Sequence, residues 1–260
     1  MDWGLALAGL GVGLLVGLTG MGAGSLMTPI MISFFGFPAT TAVGTDLVYA
    51  AVTKMFGAAR HHSLKNVNRE LALWMALGSV PSSIMGVFTL YNLLGDNVNS
   101  WLPEVIGYTL VAVGIAVVIR TFVTIRGLWS RHQLPSDGPL TKLHKVLAVS
   151  LGLVLGFILG LTSVGSGVFF GMALVTLFPL SARKVVGTDL FHAMMITLAA
   201  GLATVVWGVP NFGYVGSILV GSIPGILVGS QFTAKMPERA LRGSLASVLA
   251  LSGLKLLNVF

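Results

Sequence analysis

Two stretches of this chain, residues 3–45 and 190–234, contain no Asp, Glu, Lys or Arg at all. A bilayer crossing takes about 20 apolar residues at about 1.5 Å each. Each stretch is therefore long enough for about two membrane segments, where a soluble core helix would use only part of one. At mid-bilayer no water is present, so every backbone amide must be bonded within the protein, which leaves helical bundles or closed barrels. The stretches are continuously apolar, and this selects helices. The sequence reads as an all-α polytopic membrane protein.

Composition adds exclusions. The chain has no cysteine, which removes disulfides, thiolate metal sites and cysteine nucleophiles from consideration. Its formal net charge of +7 invites a nucleic-acid reading, but the basic residues are distributed in a pattern that points to the membrane instead. The opening Met1-Asp2-Trp3-Gly4 lacks a basic region of the kind that starts a cleavable signal peptide, so it reads as the beginning of the first helix.

An internal repeat organises the sequence. Gly17-Leu18-Thr19-Gly20-Met21-Gly22-Ala23-Gly24 recurs as Gly160-Leu161-Thr162-Ser163-Val164-Gly165-Ser166-Gly167, and Gly44-Thr45-Asp46-Leu47 recurs as Gly187-Thr188-Asp189-Leu190. The same spacing relates Gly78-Ser79-Val80-Pro81 to Gly221-Ser222-Ile223-Pro224 and Gly86 to Gly229. Chance apolar similarity would not keep register through Thr-Asp and Ser-x-Pro. The expected organisation is a first membrane repeat at 1–125, a linker at 126–143 carrying Pro135-Ser136-Asp137-Gly138-Pro139, and a second repeat at 144–260.

Each repeat reads as five segments: 3–19, 24–36, 41–61, 70–92 and 103–125, then 144–162, 167–179, 182–207, 213–232 and 239–258. Arg60, Lys65 and Arg69, then Arg120, Arg126, Arg131, Lys142 and Lys145, then Arg183 and Lys184, then Lys235, Arg239 and Arg242 fall in one set of connections. The connections near 37–41, 92–103 and 203–212 carry no Lys or Arg. By the positive-inside rule the first set is cytoplasmic. Tracing the segments from these sides places both termini outside and the central linker inside, with the two repeats in inverted topology. It also requires the first two segments of each repeat to form a re-entrant hairpin broken at the glycine cluster. Broken helices of inverted repeats meet near the midplane in secondary transporters, and their sites lie there.

The glycine clusters precede short helices. Unpaired amides and the positive helix end are expected to point inward there and to attract an anion. Thr19, Gly22, Ala23, Gly24 and Ser25 of the first half, and Thr162, Gly165, Ser166 and Gly167 of the second, are candidate substrate-binding residues, with Thr45 and Thr188 as neutral donors. Gly9, Gly13 and Gly17, at four-residue spacing, instead fit close helix packing. No strand precedes either cluster, which dismisses a dinucleotide fingerprint.

Asp46 and Asp189 are ionisable groups placed within membrane segments, where such groups are costly and usually functional; helix capping is the structural alternative. His192 lies one turn after Asp189 and aligns with Tyr49 of the first half. This makes Asp189 the stronger candidate for proton-linked behaviour beside Asp46 and His192. Lys54 has Thr197 as its counterpart and is expected to pair with Asp46 or Glu70, or to snorkel towards the cytoplasm. Pro81 and Pro224 free the carbonyls of Leu77 and Val220, which Ser79, Ser82, Ser83 and Ser222 are placed to re-satisfy unless they line a cavity. His61 and His62 read as the cytoplasmic end of a helix.

These motifs resemble the TauE/SafE family of sulfite exporters, also called the 4-toluene sulfonate uptake permease family. The Gly-rich start of each half, the Gly-Thr-Asp-Leu steps, Arg60-His61, and Gly221-Ser222-Ile223-Pro224-Gly225 followed by Gly229 carry the likeness over nearly the whole chain. The resemblance implies a roughly eight-helix carrier of the bacterial inner membrane with no bound cofactor. Its implied cargo is a small sulfur-containing anion such as sulfite, a sulfonate or sulfoacetate. No catalytic or metal-binding residue is expected, and its partners are the small anion and the lipid bilayer, not nucleic acid. An anion-selective channel and a carrier of another small solute are the competing readings. An intramembrane aspartyl protease is disfavoured because inverted repeats separate Asp46 from Asp189.

Overall fold

The computed structural model describes residues 2–19, 26–63, 65–95, 97–125, 140–165, 167–178, 180, 182–232, 247 and 250–257. Among these there is no strand. Helices α1 (Trp3–Thr19), α2 (Met27–Phe35), α3 (Ala39–Ser63), α4 (Arg69–Phe88), α5 (Val98–Ile125), α6 (Lys142–Thr162), α7 (Val168–Leu177), α8 (Ala182–Trp207) and α9 (Phe212–Phe232) follow in order, with a π turn at Thr89–Leu93 after α4. Helical backbone returns at residues 250–256. Five of these segments are long and apolar enough to cross a membrane: Arg69–Leu93, Val98–Ile119, Lys142–Thr162, Lys184–Trp207 and Phe212–Gly229. The all-α polytopic architecture expected from sequence is the architecture observed.

Helix α5 begins at Val98, a turn earlier than Pro103, where the sequence reading started it. The added turn is fixed from outside, because Asn99 Oδ1 accepts both the backbone N–H and the hydroxyl of Thr40, at 3.0 and 3.1 Å. Helices α2 and α7 have only 9 and 10 residues. At about 1.5 Å per residue they cover about half of a hydrocarbon core of about 30 Å, so neither spans it.

The bundle is apolar outside as well as inside. Leu73, Leu77 and Met85 of α4, Val146, Leu153 and Val154 of α6, and Val220 and Leu227 of α9 are all exposed. In water this surface would drive aggregation; in lipid it is the solvated face. Helix α3 is long enough to span but is missing from the apolar spans, because it carries Asp46, Lys54 and the basic Arg60 end.

Lipid gives helices no hydrophobic reason to associate, so close van der Waals packing must hold them together, and small residues permit it. Helices α1 and α9 form one such pair. A Cβ at Gly9 would lie 2.5 Å from the Ile218 carbonyl oxygen, and one at Gly225 would lie 2.6 Å from that of Leu10. Helices α4 and α6 form the second pair: Gly86 meets Phe157 and Gly160, Gly156 meets Ser79 and Ser82, and Gly78 meets Val149 and Leu153. In both pairs residue numbers rise together, so the helices run parallel. Helices α3 and α8 cross the other way, with Gly44 against Thr204 and Gly201 against Leu47, Val48 and Ala51. That crossing is antiparallel. The packing role expected for Gly9 and Gly13 is the one observed.

Pro81 and Pro224 do not end their helices; α4 continues through Pro81 and α9 through Pro224. The serines do not serve the carbonyls that the prolines free, contrary to one reading of the sequence. Ser82 Oγ donates to the Ser79 carbonyl and across the interface to that of Gly152, each at 3.2 Å, and Ser83 Oγ donates to Val80 at 2.9 Å. A hydroxyl in a helix reaches carbonyls three or four residues back. Leu77 is five residues before Ser82 and six before Ser83, beyond that reach.

Backbone contact at glycine predicts a sharp positional contrast within α1. Gly9→Ala places a methyl group against the Ile218 carbonyl and should destabilise by about 1–3 kcal/mol, the usual range for overpacking. Gly11 has nothing within 4 Å of its would-be Cβ, so Gly11→Ala should be neutral or stabilising by up to about 1 kcal/mol. Thermal melting of both variants in the same detergent checks this; equal melting temperatures would refute the close α1–α9 approach.

Candidate functional site

The break between α6 and α7 is built from local conformation. Ser163 ends α6 in the left-handed region (φ 58°, ψ −2°) and returns its N–H to the Leu159 carbonyl. Gly165 follows at φ 99°, a conformation that favours glycine, and Gly167 precedes the first residue of α7. This turn delivers the Ser163 side chain into the protein interior. Ser163 Oγ lies 2.8 Å from Asp46 Oδ2 of α3, and Thr28 Oγ1 of α2 donates to the same oxygen at 2.8 Å. The two hydroxyl oxygens are themselves 2.6 Å apart.

All three residues are buried. The Thr28 and Ser163 hydroxyls both face Asp46 Oδ2, so this one carboxyl oxygen gathers partners from α2 and from the α6–α7 break. Asp46 Oδ1 is also buried and has no hydrogen-bond partner among the described residues. The carboxyl of the first half is thus held by the broken helix of the second.

A second set of contacts ties the repeats together reciprocally. Thr45 Oγ1 accepts the backbone N–H of Asn211 at 3.2 Å, and Thr188 Oγ1 accepts that of Asn68 at 2.9 Å. Each asparagine in turn caps the helix it precedes: Asn68 Oδ1 accepts from the Leu71 amide and Asn211 Oδ1 from the Tyr214 amide, both at 3.1 Å. Each threonine of a Gly-Thr-Asp-Leu step therefore positions the fourth helix of the other half. Accepting an amide leaves each hydroxyl its own hydrogen, so these contacts are compatible with the donor role toward a substrate expected from sequence.

The Ser-x-Pro motifs complete the layer. His192 of α8 meets Ser79 of α4, with Nε2 and Oγ 2.7 Å apart, while its ring lies edge-on to Phe170 at 4.4 Å. The corresponding residues of the other half, Tyr49 and Ser222, also face each other, although neither hydroxyl makes a well-formed hydrogen bond. The one hydrogen bond of the His192 ring goes to Ser79 across the interface rather than to Asp189 on its own helix, and Nδ1 has no partner among the described residues. His192 and Asp189 are both buried in the same region of α8.

Capping does not explain the aspartates. Helix α3 starts at Ala39 and α8 at Ala182, so Asp46 and Asp189 sit two turns inside, beyond the first-turn amides that a cap serves. Lys54 does not snorkel: it is 3% exposed and acts electrostatically on both Asp46 and Asp189. Glu70, its alternative partner, pairs with Lys145 at 2.9 Å.

The other predicted site residues divide as follows. Thr162 Oγ1 is engaged locally, donating to Ile158 at 2.7 Å and accepting from the Val164 amide at 3.2 Å. Gly165 and Gly167 shape the turn. Gly22, Ala23, Gly24, Ser25 and Ser166 lie outside the described residues, as do the side chains of Thr19, His61 and His62. Among the described residues, no three His, Cys, Asp or Glu converge in a way that would hold a metal ion.

Sequence reasoning missed Thr28, Ser163 as a ligand of Asp46, and the two asparagines. Asn68 and Asn211 stand at the same spacing as the repeat motifs and were legible there. Thr28 was not, because its counterpart is Gly171 and the repeat gives no signal at that position.

A family model described as sulfite exporter TauE/SafE matches residues 5–256, nearly the whole of this arrangement. The chain belongs to the TauE/SafE family. It is 39% identical over 259 residues to the probable membrane transporter protein YjnA of Bacillus subtilis, covering 99% of this chain and 100% of that one. It is also similar to the probable membrane transporter proteins YdhB of Bacillus subtilis (27% identity; 95% and 96% covered) and MJ0441 of Methanocaldococcus jannaschii (25%; 97% and 94%). No solved structure matches it. This TauE/SafE protein is a multi-pass integral membrane transporter.

The reciprocal threonine contacts make a paired prediction. Thr45→Val and Thr188→Val each leave a backbone N–H without its acceptor, and each should destabilise by about 1–3 kcal/mol. Thr197→Val removes a hydroxyl shared between the Ala193 and Met194 carbonyls of its own helix and should cost less than about 1 kcal/mol. Thermal melting in one detergent checks the order; a Thr197 variant as unstable as the other two would contradict it.

Proposed function

We propose that this TauE/SafE protein carries small sulfur-containing anions, of the sulfite, sulfonate or sulfoacetate type, across the bacterial inner membrane by alternating access. The observation that carries the reading is the grip on Asp46. Hydroxyls at the α6–α7 break and at the start of α2 already converge on one buried oxygen of the Asp46 carboxyl, and a sulfite or sulfonate oxygen is an acceptor of the same kind. From the sequence pattern, the glycine turns at 22–25 and 165–167 are the proposed source of backbone donors to the anion.

Alternating access needs two halves that can exchange roles. If residues 1–125 and 144–260 are inverted copies joined by the linker 126–143, then α1 corresponds to α6, α3 to α8 and α4 to α9. Corresponding helices α3 and α8 should then run antiparallel, whereas α1 with α9, and α6 with α4, should run parallel. The directions described above are these. A two-fold axis along the membrane normal would instead make α3 and α8 parallel. The inverted reading is supported on that ground, with the termini outside and the linker cytoplasmic by the distribution of Lys and Arg.

Coupling rests on Asp46, Asp189 and His192. An anion entering a low-dielectric site favours protonation of a nearby carboxyl, which links proton to anion movement. A panel of small anions, cations and neutral solutes tested for thermal stabilisation of the purified protein checks the substrate class: sulfite, sulfonates or sulfoacetate should stabilise it, and stabilisation by cations alone would refute the anion reading.

Two further outcomes follow. Single cysteines at Ser136 and Asn97 should differ in labelling by an impermeant thiol reagent applied to intact cells: Asn97→Cys reacts and Ser136→Cys does not. Labelling of Ser136→Cys from outside would overturn the topology. In proteoliposomes, Asp189→Asn should flatten the pH profile of flux, whereas Asp46→Asn should mainly change stability or affinity. An unchanged profile in Asp189→Asn would leave Asp189 without a coupling role.

A further inference from the structure

The repeat matches threonine to threonine, aspartate to aspartate and serine to serine across the polar layer, and it fails at Lys54. The counterpart, Thr197, is buried and donates its hydroxyl to the Ala193 carbonyl of its own helix at 2.6 Å. No pseudo-symmetric packing need is met by an ammonium at that place. Lys54 is nevertheless buried, and among the described residues no other Lys or Arg is. The charged groups acting on it come from both halves, Asp46 on its own helix and Asp189 on α8, and it acts in turn on His192. Among the described residues, no titratable group of α2, α5 or α9 joins them.

A buried ammonium requires a compensating anion, and two carboxylates compete to supply it. With both ionised the cluster is net negative and repels an incoming anion. With one protonated it is neutral. Asp46 Oδ2 is already engaged by Thr28 and Ser163, so in this proposal Asp46 is the protonated carboxyl and Asp189 the ionised partner of Lys54. We propose that Lys54 is the cationic anchor of the transported anion, which it binds in exchange for Asp189. This rests on the anion reading above.

The exchange balances. A monovalent anion and one proton enter from water on the same side, the anion takes the place of the Asp189 carboxylate beside the Lys54 ammonium, and Asp189 takes the proton. The occupied cluster is then neutral, as the empty one was. On release, Asp189 loses its proton to the far side and recovers Lys54. One proton therefore accompanies each monovalent anion, and the lysine, which never leaves the protein, sets the selectivity for negative charge.

The test uses purified full-length protein in detergent at constant ionic strength, with sodium ethanesulfonate as the monovalent probe and sulfite and sulfoacetate in parallel. Apparent affinity is read from the concentration dependence of thermal stabilisation. Lys54→Arg should stay within about threefold of wild type, and Lys54→Met should weaken binding by about tenfold or more. Because Lys54→Met strands two carboxyls in the interior, Lys54→Met/Asp189→Asn supplies a variant without that burden; it should melt near wild type and still fail to bind.

In weakly buffered solution, wild type should take up one proton per ethanesulfonate bound. Wild-type affinity in the double variant would overturn the anchoring role, and binding without proton uptake would overturn the exchange. A wild-type protein indifferent to all three anions would overturn the anion reading itself, an outcome separable from the other two because it appears before any variant is made.

Discussion

Backbone meeting backbone at glycine is the contact on which the rest of this molecule depends. Lipid tails compete on equal terms with apolar side chains, so α1 stays on α9, and α4 on α6, only because their axes approach closely enough for many weak contacts to add. The rows Gly9–Gly13 and Gly152–Gly156–Gly160 present a flat strip to the serine- and glycine-bearing faces of α9 and α4. The approach also brings Ser82 within reach of the Gly152 carbonyl. Two tight parallel pairs result, and the antiparallel crossing of α3 and α8 connects them.

That crossing explains why the polar residues gather where they do. Helices α3 and α8 are the least apolar long segments, and they turn their polar side chains inward while apolar ones such as Phe56, Leu202 and Val206 stay exposed. Asp46, Lys54, Asp189 and His192 are buried in consequence. The short helices α2 and α7 contribute their ends rather than their faces. Each begins among buried residues, Met27 and Thr28 in α2 and Val168 in α7, and a helix that begins there brings a hydroxyl such as that of Thr28 into the interior. The asymmetry of the site follows from which half supplies which part: the first half contributes Asp46, Lys54 and Thr28, the second Ser163, Asp189 and His192.

Much of this was legible in the sequence, and the boundary of legibility has a physical cause. Uncharged runs and a ten-segment pattern specify helices because a bilayer leaves the backbone no alternative, and the residue-for-residue repeat at Gly-Thr-Asp-Leu and Ser-x-Pro exposed the candidate polar residues. Which residue touches which was not legible, since the motifs engage the opposite half rather than their own neighbours. Thr45 was expected to donate to a substrate or to cap its own helix, and the contact it makes with the Asn211 amide, 166 residues away, leaves no local signal. His192 was read beside Asp189 because they are one turn apart, yet its ring nitrogen meets Ser79 on α4. The role of Ser163 depended on a single left-handed residue ending α6, which a sequence rich in glycine does not single out.

The reciprocal caps also have a consequence for how the chain comes to be made. Helix α4 leaves the ribosome with Asn68 in place, but the threonine that receives the Asn68 amide, Thr188, is synthesised 120 residues later. Helix α1 waits longer still for α9. At ordinary rates of synthesis, about 5–20 residues per second, the first half spends several seconds in the membrane with its glycine strips unopposed and its aspartate and lysine without the second half's serine and carboxylate. A nascent chain in that condition needs something to cover it, be it lipid, the insertion machinery or another copy of the same half. The order of synthesis thus makes the first repeat a transient client and the second repeat its built-in chaperone.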